Sequence, residues 1–245
     1  MSNESRPVRP KPTIVLVHGA WADASSWNRV TERLQREGYT VLAPANPLRG
    51  MTSDGAYMAS VLAGVPGPIV LVAHSYGGAV ITNAATGNPN VKALVYVAAF
   101  IPDAGETAAD LLKFPGSLIV VPPSPEATVT ARPFPGGLDF YVDAGPFREI
   151  FAADLPAVET ALMAAAQRPL AAAAFTDASG PPAWKTIPSW ALVATQDNTI
   201  GTANTRFMAN RAAPSHTVEV AAAHAVLLSQ PQAVVDLIEE AVRDS

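Results

Sequence analysis

A chain of 245 residues with 49% hydrophobic and 15% charged residues has enough apolar mass for a buried core, and with no cysteine that core forms without disulfides. Disorder and coiled coil do not fit this composition. The net charge of -5 comes from 16 Lys plus Arg, scattered singly, against 21 Asp plus Glu, which argues against a nucleic-acid partner.

Met1 to Pro12 holds three prolines together with Arg6, Arg9 and Lys11, and is expected to be a loose tail over residues 1–12. The apolar stretch after it, Ile14 to Val17, is shorter than the ~7–15 residues of a signal-peptide core, so the expected location is cytoplasmic. The longest apolar run, Ala93 to Ile101, falls far short of the ~18–20 residues that cross a bilayer, so no membrane span is expected.

From Thr13 onward, short β-branched runs alternate with turns and segments of helical period, the pattern of a parallel sheet. Strands are expected at Thr13 to Val17, Tyr39 to Ala43, Ile69 to Ala73, Ala93 to Ala98, Ser189 to Thr195 and His216 to Val220. All are nearly continuously apolar, as strands covered on both faces are. Helices are expected at Ser26 to Glu37, where Trp27, Val30 and Leu34 share a face and Gly38 provides a C-terminal cap. Others follow at Ser75 to Ala85, Thr202 to Arg211 and Pro231 to Arg243, the last opening on a first-turn proline. Residues 13–101 and 188–245 then form a mostly parallel, doubly wound α/β core with right-handed crossovers.

Residues 102–187, from Pro102 to Ile187, break the alternation. This Ala- and Pro-rich stretch shows no strand pattern and reads as an inserted helical cap. Within it, Leu111 to Gly137 is interrupted by Pro115, Pro122, Pro123, Pro125, Pro133 and Pro135 and reads as a loop-like wrap. Pro146 to Ala153 and Leu155 to Ala174 read as helical, with Phe147, Ile150 and Phe151 on one apolar face.

The sharpest chemical signal is Ile69-Val-Leu-Val-Ala-His-Ser-Tyr-Gly-Gly78, a buried strand running into a small-x-Ser-x-Gly turn and then a helix. That context defines a nucleophile elbow. The tight turn strains Ser75, and only small neighbours such as Ala73 and Gly77 let its two arms approach. The hydroxyl then stands above the sheet, at a helix N-terminus that favours developing negative charge.

Four histidines exist. His18 precedes a Gly at a strand end, where His18-Gly19 also fits a structural turn. His74 adjoins the nucleophile and is expected to point away from its hydroxyl, and His216 opens a strand. His224, in a loop just past a strand, is the candidate general base. For the acid, Asp197 at the end of Ala191-Leu-Val-Ala-Thr-Gln-Asp is favoured over Asp103, which follows the strand before the cap, because it precedes His224 by one crossover. The chain order Ser, acid, His is then that of this elbow architecture. Ser75 attacks, His224 takes its proton, and Asp197 holds the imidazole. Backbone amides of Tyr76 and Ala20 are the expected oxyanion donors. Trp21 and Phe100 are placed nearest a substrate pocket, whereas Trp27, Phe147, Phe151 and Trp184 are read as packing. No metal, nucleotide or dinucleotide motif is present, and no cofactor is expected.

His18-Gly-Ala-Trp21, Ala73-His-Ser-Tyr-Gly77, Asp197 and His224 together resemble the α/β-hydrolase superfamily. Val17 to Trp21 with Ser26-Trp27, the elbow, and Val95-Tyr-Val-Ala-Ala-Phe resemble small bacterial esterase-like hydrolases akin to plant methylesterases and hydroxynitrile lyases. The resemblance implies small carboxylic esters or lactones as substrates and no cofactor. Related hydroxynitrile lyases carry a lysine after the catalytic histidine, whereas Ala225 stands here. Dehalogenases of the fold use an Asp nucleophile, whereas this chain has Ser75. The expected function is a cofactor-independent serine esterase, with lyase or perhydrolase chemistry on the same triad, or a non-catalytic ligand receptor, as alternatives. The partner is a small-molecule ester, without nucleic acid or membrane, and the oligomeric state is open.

Overall fold

A computed structural model describes residues 11–245, so most of the expected tail lies outside the described residues. The first half of the core comprises β1 (Thr13–Val17), α1 (Asn28–Arg36), β2 (Val41–Leu42), α2 (Met51–Ala63), β3 (Ile69–His74), α3 (Tyr76–Ala84) and β4 (Val91–Val97). An insert then contributes β5 (Val129–Phe134), β6 (Gly137–Val142), α4 (Phe147–Phe151), α5 (Ala157–Ala166), β7 (Leu170–Ala171) and α6 (Ala173–Thr176). The core resumes with β8 (Ser189–Ala194), α7 (Thr202–Ala212), β9 (Thr217–Val220), α8 (Val226–Ser229) and α9 (Pro231–Asp244).

Six strands form one parallel sheet in the order β2-β1-β3-β4-β8-β9. The chain leaves β1 for the β2 edge and returns on the other side as β3, so the winding direction reverses between β1 and β3. In open α/β sheets, ligands bind beyond the carboxyl ends of the strands at such a reversal. Ser75 and the loop after β1 both lie there.

The alternation within each strand builds two cores. Val15, Val17, Leu71 and Ala73 face Met58, Leu62, Ala79 and Val80 from α2 and α3. Ile14, Leu16, Val70 and Val72 face Val30 and Leu34 of α1 and Val234, Leu237 and Ile238 of α9. Each Val, Leu, Ile or Met side chain among them contributes about 1.5–3 kcal/mol by leaving water. Truncating one, as in Leu71→Ala, would cost about 2–5 kcal/mol because the cavity collapses only in part. Among the described residues no helix is long and apolar enough to cross a membrane.

The structure corrects the reading of residues 102–187 as strandless and helical. β5 and β6 form an antiparallel hairpin, and β7 adds to β6 through Asp139 with Ala171 and Phe140 with Leu170. Leu111 to Gly137 is therefore loop-like only as far as β5. The hairpin stayed hidden because its strands are half-exposed and Pro133 lies within β5, opposite Leu138 near the turn. Leu155 to Ala174 is helical only over α5 and α6, because the chain is drawn into β-pairing at Leu170 and Ala171. The sequence reading also missed α2. Its buried Met51, Asp54, Met58 and Leu62 recur at helical spacing, but Gly55 sits among them. A Cβ at Gly55 would lie 3.0 Å from the Asn83 Cβ, so the glycine permits the close approach of α2 to α3.

Candidate active site

β3 delivers Ser75 into the left-handed region, with φ 55° and ψ -126°. A non-glycine residue persists there only when its surroundings hold it, and close backbone packing does so. A Cβ at Gly77 would lie 2.7 Å from the Val17 carbonyl oxygen, and one at Gly19 would lie 2.6 Å from the Ser75 Cβ. The ends of β1 and β3 can converge on the serine only because both positions are glycine.

The structure brings Ser75, His224 and Asp197 into one hydrogen-bonded line, all three essentially removed from solvent. The Ser75 Oγ lies 2.8 Å from His224 Nε2, and His224 Nδ1 lies 2.8 Å from Asp197 Oδ2. The second carboxylate oxygen, Oδ1, accepts from the main-chain amides of Thr199 at 2.8 Å and Ile200 at 3.0 Å. With both oxygens engaged, the carboxylate cannot rotate away, and an acceptor at Nδ1 places the proton there and leaves Nε2 free to receive one. Asp103 stands elsewhere: its exposed carboxylate pairs with Lys185, which lowers its pKa.

The other two buried histidines serve the loops. His18 donates through Nδ1 to the Gly19 carbonyl at 2.9 Å and accepts the Asn46 amide at Nε2, also at 2.9 Å, pinning the turn after β1. His74 points away from the Ser75 hydroxyl, as expected. Its Nε2 donates to the main-chain carbonyl of His224 at 2.9 Å. Burial lowers the pKa of both, that of His74 far below the ordinary imidazole value, with nearby His224 adding to the effect.

α4 clamps the two loops that carry Asp197 and His224. The Ile150 carbonyl accepts from the Thr199 hydroxyl, and the Phe151 carbonyl accepts from the Ala225 amide. The Phe151 ring meets His224 edge to face, 5.1 Å between centroids. The expected apolar face of Phe147, Ile150 and Phe151 is fully buried, and it backs the histidine.

Ala20, Trp21, Ser75, Tyr76 and Phe100 line one cavity, so the expected pocket residues are brought together. Among the described residues, the amides of Ala20 and Tyr76 donate to no protein acceptor. Tyr76 is fixed by its phenol, which donates at 2.9 Å to the buried carboxylate of Asp54 in the first turn of α2; burial raises the pKa of both groups. The insert supplies Ala108, Leu112, Ile119, Leu170 and Phe175, and Thr199 completes the lining of a narrow cavity of about 20 Å³. Sequence reasoning missed these contributors because the insert's path is set by tertiary packing. The ligand-type atoms of His216, Glu240 and Asp244 lie within 4.8 Å of one another, but these residues take no part in the cavity.

Comparison with known proteins accords with this architecture. A carbendazim hydrolyzing esterase of Nocardioides sp. (strain SG-4G) is 32% identical over 111 residues, 40% of this chain and 46% of that protein. The match thus spans less than half of that relative's length. The fold superposes on polyneuridine aldehyde esterase with a TM-score of 0.79 at 17% identity, over 94% of this chain and 99% of the other. A pyrethroid hydrolase from Sphingobium faniae JZ-2 gives 0.73 at 23% identity, over 95% and 97% of the two chains. A methylesterase from Arabidopsis gives 0.76 at 19%, over 96% and 100%. At these identities the likeness to the solved structures is one of fold. Residues 14–237 match the alpha/beta hydrolase family, and the chain belongs to it.

Proposed function

We propose that this protein is a cofactor-independent serine esterase that cleaves small, largely apolar esters or lactones through an acyl-enzyme. The observation that carries the reading is the line from Ser75 through His224 to Asp197, with two unengaged buried amides beside the serine. Ser75 Oγ attacks the ester carbonyl carbon while its proton passes to His224 Nε2. The carbonyl oxygen becomes an oxyanion and takes hydrogen bonds from the Ala20 and Tyr76 amides, in a site where burial strengthens them. The C–O bond then breaks, and the alcohol departs with the proton held by His224. Water gives a proton to His224 and attacks the acyl carbon, and collapse returns the proton to Ser75. Nucleophile, base and oxyanion donors all come from the protein.

The lining supports the substrate class. Apart from Ser75, the Tyr76 phenol and Thr199 its side chains are apolar, and the phenol is spent on Asp54. The segment between β4 and β8 acts as a cap over the serine and selects by shape. The name of the Nocardioides relative and those of the structural neighbours point to the same reaction class.

The test is hydrolysis of a p-nitrophenyl ester series, wild type beside Ser75→Ala, with burst and steady state recorded. The expected result is a burst stoichiometric with enzyme and a loss of turnover on the order of 10⁵–10⁶-fold in the variant. Turnover that survives in Ser75→Ala, or no turnover on any ester, overturns the reading.

A further inference from the structure

We infer that Trp21 is a fixed partition between the catalytic cavity and an outer groove, and that it sets the upper size of the acyl group the protein accepts. The inference rests on the esterase reading of Ser75. A second concavity is lined by Ala22, Asp23 and Ser25 of the loop after β1, by Glu159 and Met163 of α5, and by Leu228 of α8. Trp21 lines this groove and the cavity at Ser75, and it is the residue the two have in common among those described.

Three constraints hold the indole in place. Its backbone sits in the left-handed region at φ 56°, which a bulky residue adopts only when the surroundings impose it. Its main-chain amide donates to the Arg168 carbonyl at 3.1 Å, and its Nε1 donates to the Phe140 carbonyl at 2.9 Å. Both acceptors belong to the insert, so the side chain cannot swing without breaking a buried hydrogen bond. The residue is 4% exposed. A side chain anchored at the backbone and at the far end of its ring behaves as a wall.

On the far side, Met163 and Leu228 offer apolar surface to an alkyl chain, while Asp23 and Glu159 are polar, the latter engaged by Arg29 at 2.9 Å. Removing the indole would join this groove to the space around Ser75. A chain too long for the present cavity could then thread past position 21 and lie along α5. Wild type is therefore a short-acyl enzyme, and the groove is a latent extension of its acyl site.

The experiment compares kcat/KM for p-nitrophenyl decanoate with that for p-nitrophenyl butyrate in wild type, Trp21→Ala, Trp21→Leu and Trp21→Phe. The ratio within one preparation cancels losses from partial unfolding or a disturbed Ala20 amide, because both affect the two substrates alike. The long-to-short ratio is expected to rise on the order of tenfold in Trp21→Ala, to rise less in Trp21→Leu, and to stay within threefold of wild type in Trp21→Phe, which keeps the wall and loses only the indole N–H. A Trp21→Ala ratio within threefold of wild type, or an equal rise in Trp21→Phe, overturns the inference. If wild type shows no Ser75-dependent hydrolysis of either ester, the esterase reading itself has failed, a different result from an unchanged ratio.

Discussion

The imidazole of His74 donates through Nε2 to the main-chain carbonyl of His224, 2.9 Å away, so the residue preceding Ser75 holds the loop that carries His224. The two rings lie 4.6 Å apart between centroids, with Trp27 and Phe151 edge-on to His74. On the proposed mechanism, a positive charge at that distance would oppose protonation of His224. Burial works against such a charge on His74, lowering its pKa well below the ordinary imidazole value.

Replacing it tests the arrangement. His74→Leu leaves the His224 carbonyl buried without its donor and is expected to cost about 1–3 kcal/mol of stability. Displacement of the base loop should lower kcat by about 10–100-fold with KM little changed. Urea unfolding and steady-state kinetics on the same preparation measure both. An unchanged kcat would show that the loop holds its geometry without this bond.

The choice between the two candidate acids has a clear readout. Asp197→Asn keeps the shape but removes the charge and disturbs the imidazole tautomer, and kcat should fall on the order of 10⁴-fold. Asp103→Asn should leave kcat within twofold, since Asp103 pairs at the surface with Lys185. Its cost in stability should stay below about 1 kcal/mol, as for other exposed pairs. Parallel kinetics and melting curves decide.

Glycine spacing around the serine gives a third expectation. Gly19→Ala would place a Cβ 2.6 Å from the Ser75 Cβ and 2.9 Å from the His74 carbonyl oxygen, neither of which is the free end of a flexible chain. A destabilisation of about 1–3 kcal/mol is expected, with impaired acylation. A Cβ at Gly145 meets nothing within 4 Å, so Gly145→Ala should change stability by no more than about 0.5 kcal/mol. Thermal unfolding of the two variants, with burst amplitude on an activated ester, makes the comparison.

Stability should also depend on pH through Glu106. Its hydrogen bonds with Arg211 bring the pKa down from 4.5 to about 2. A carboxyl depressed in the folded state stabilises the protein above the unfolded value and loses that contribution as pH falls through the folded one. The window therefore runs from about pH 5 down to about pH 2. Allowing for partial exposure, the contribution is on the order of 2 kcal/mol. Denaturation midpoints across that window should fall less steeply for Glu106→Gln than for wild type, and parallel curves would show that the pair does not contribute.

Much of this was legible in the chain itself. The central strands β1, β3, β4 and β8 are covered on both faces and announce themselves as continuous apolar runs, whereas the edge strands β2 and β9, expected to be covered too, are half-exposed. Ser75 is marked by a local pattern, a strand, a small-x-Ser-x-Gly turn and a helix, that fits a sharp elbow. With four histidines in the sequence, the order of Ser75, Asp197 and His224 sufficed to nominate a triad, because the architecture fixes which strand ends come together.

The tertiary structure decided what local pattern does not encode. The β5–β6 hairpin is held by pairing across half-exposed strands that include Pro133, so its period is weak. The cavity wall is assembled from Ala108, Ile119, Leu170 and Phe175, residues whose common position depends on how the insert packs over β1 and β3. The choice of Asp197 over Asp103 also needed three dimensions. Both follow core strands, but only the Asp197 carboxylate is aimed at His224, by amides of its own turn, whereas Asp103 faces solvent and Lys185. Sequence determined which groups can do the chemistry, because their types and order are local facts; long-range packing determined which of them meet and what fits between them.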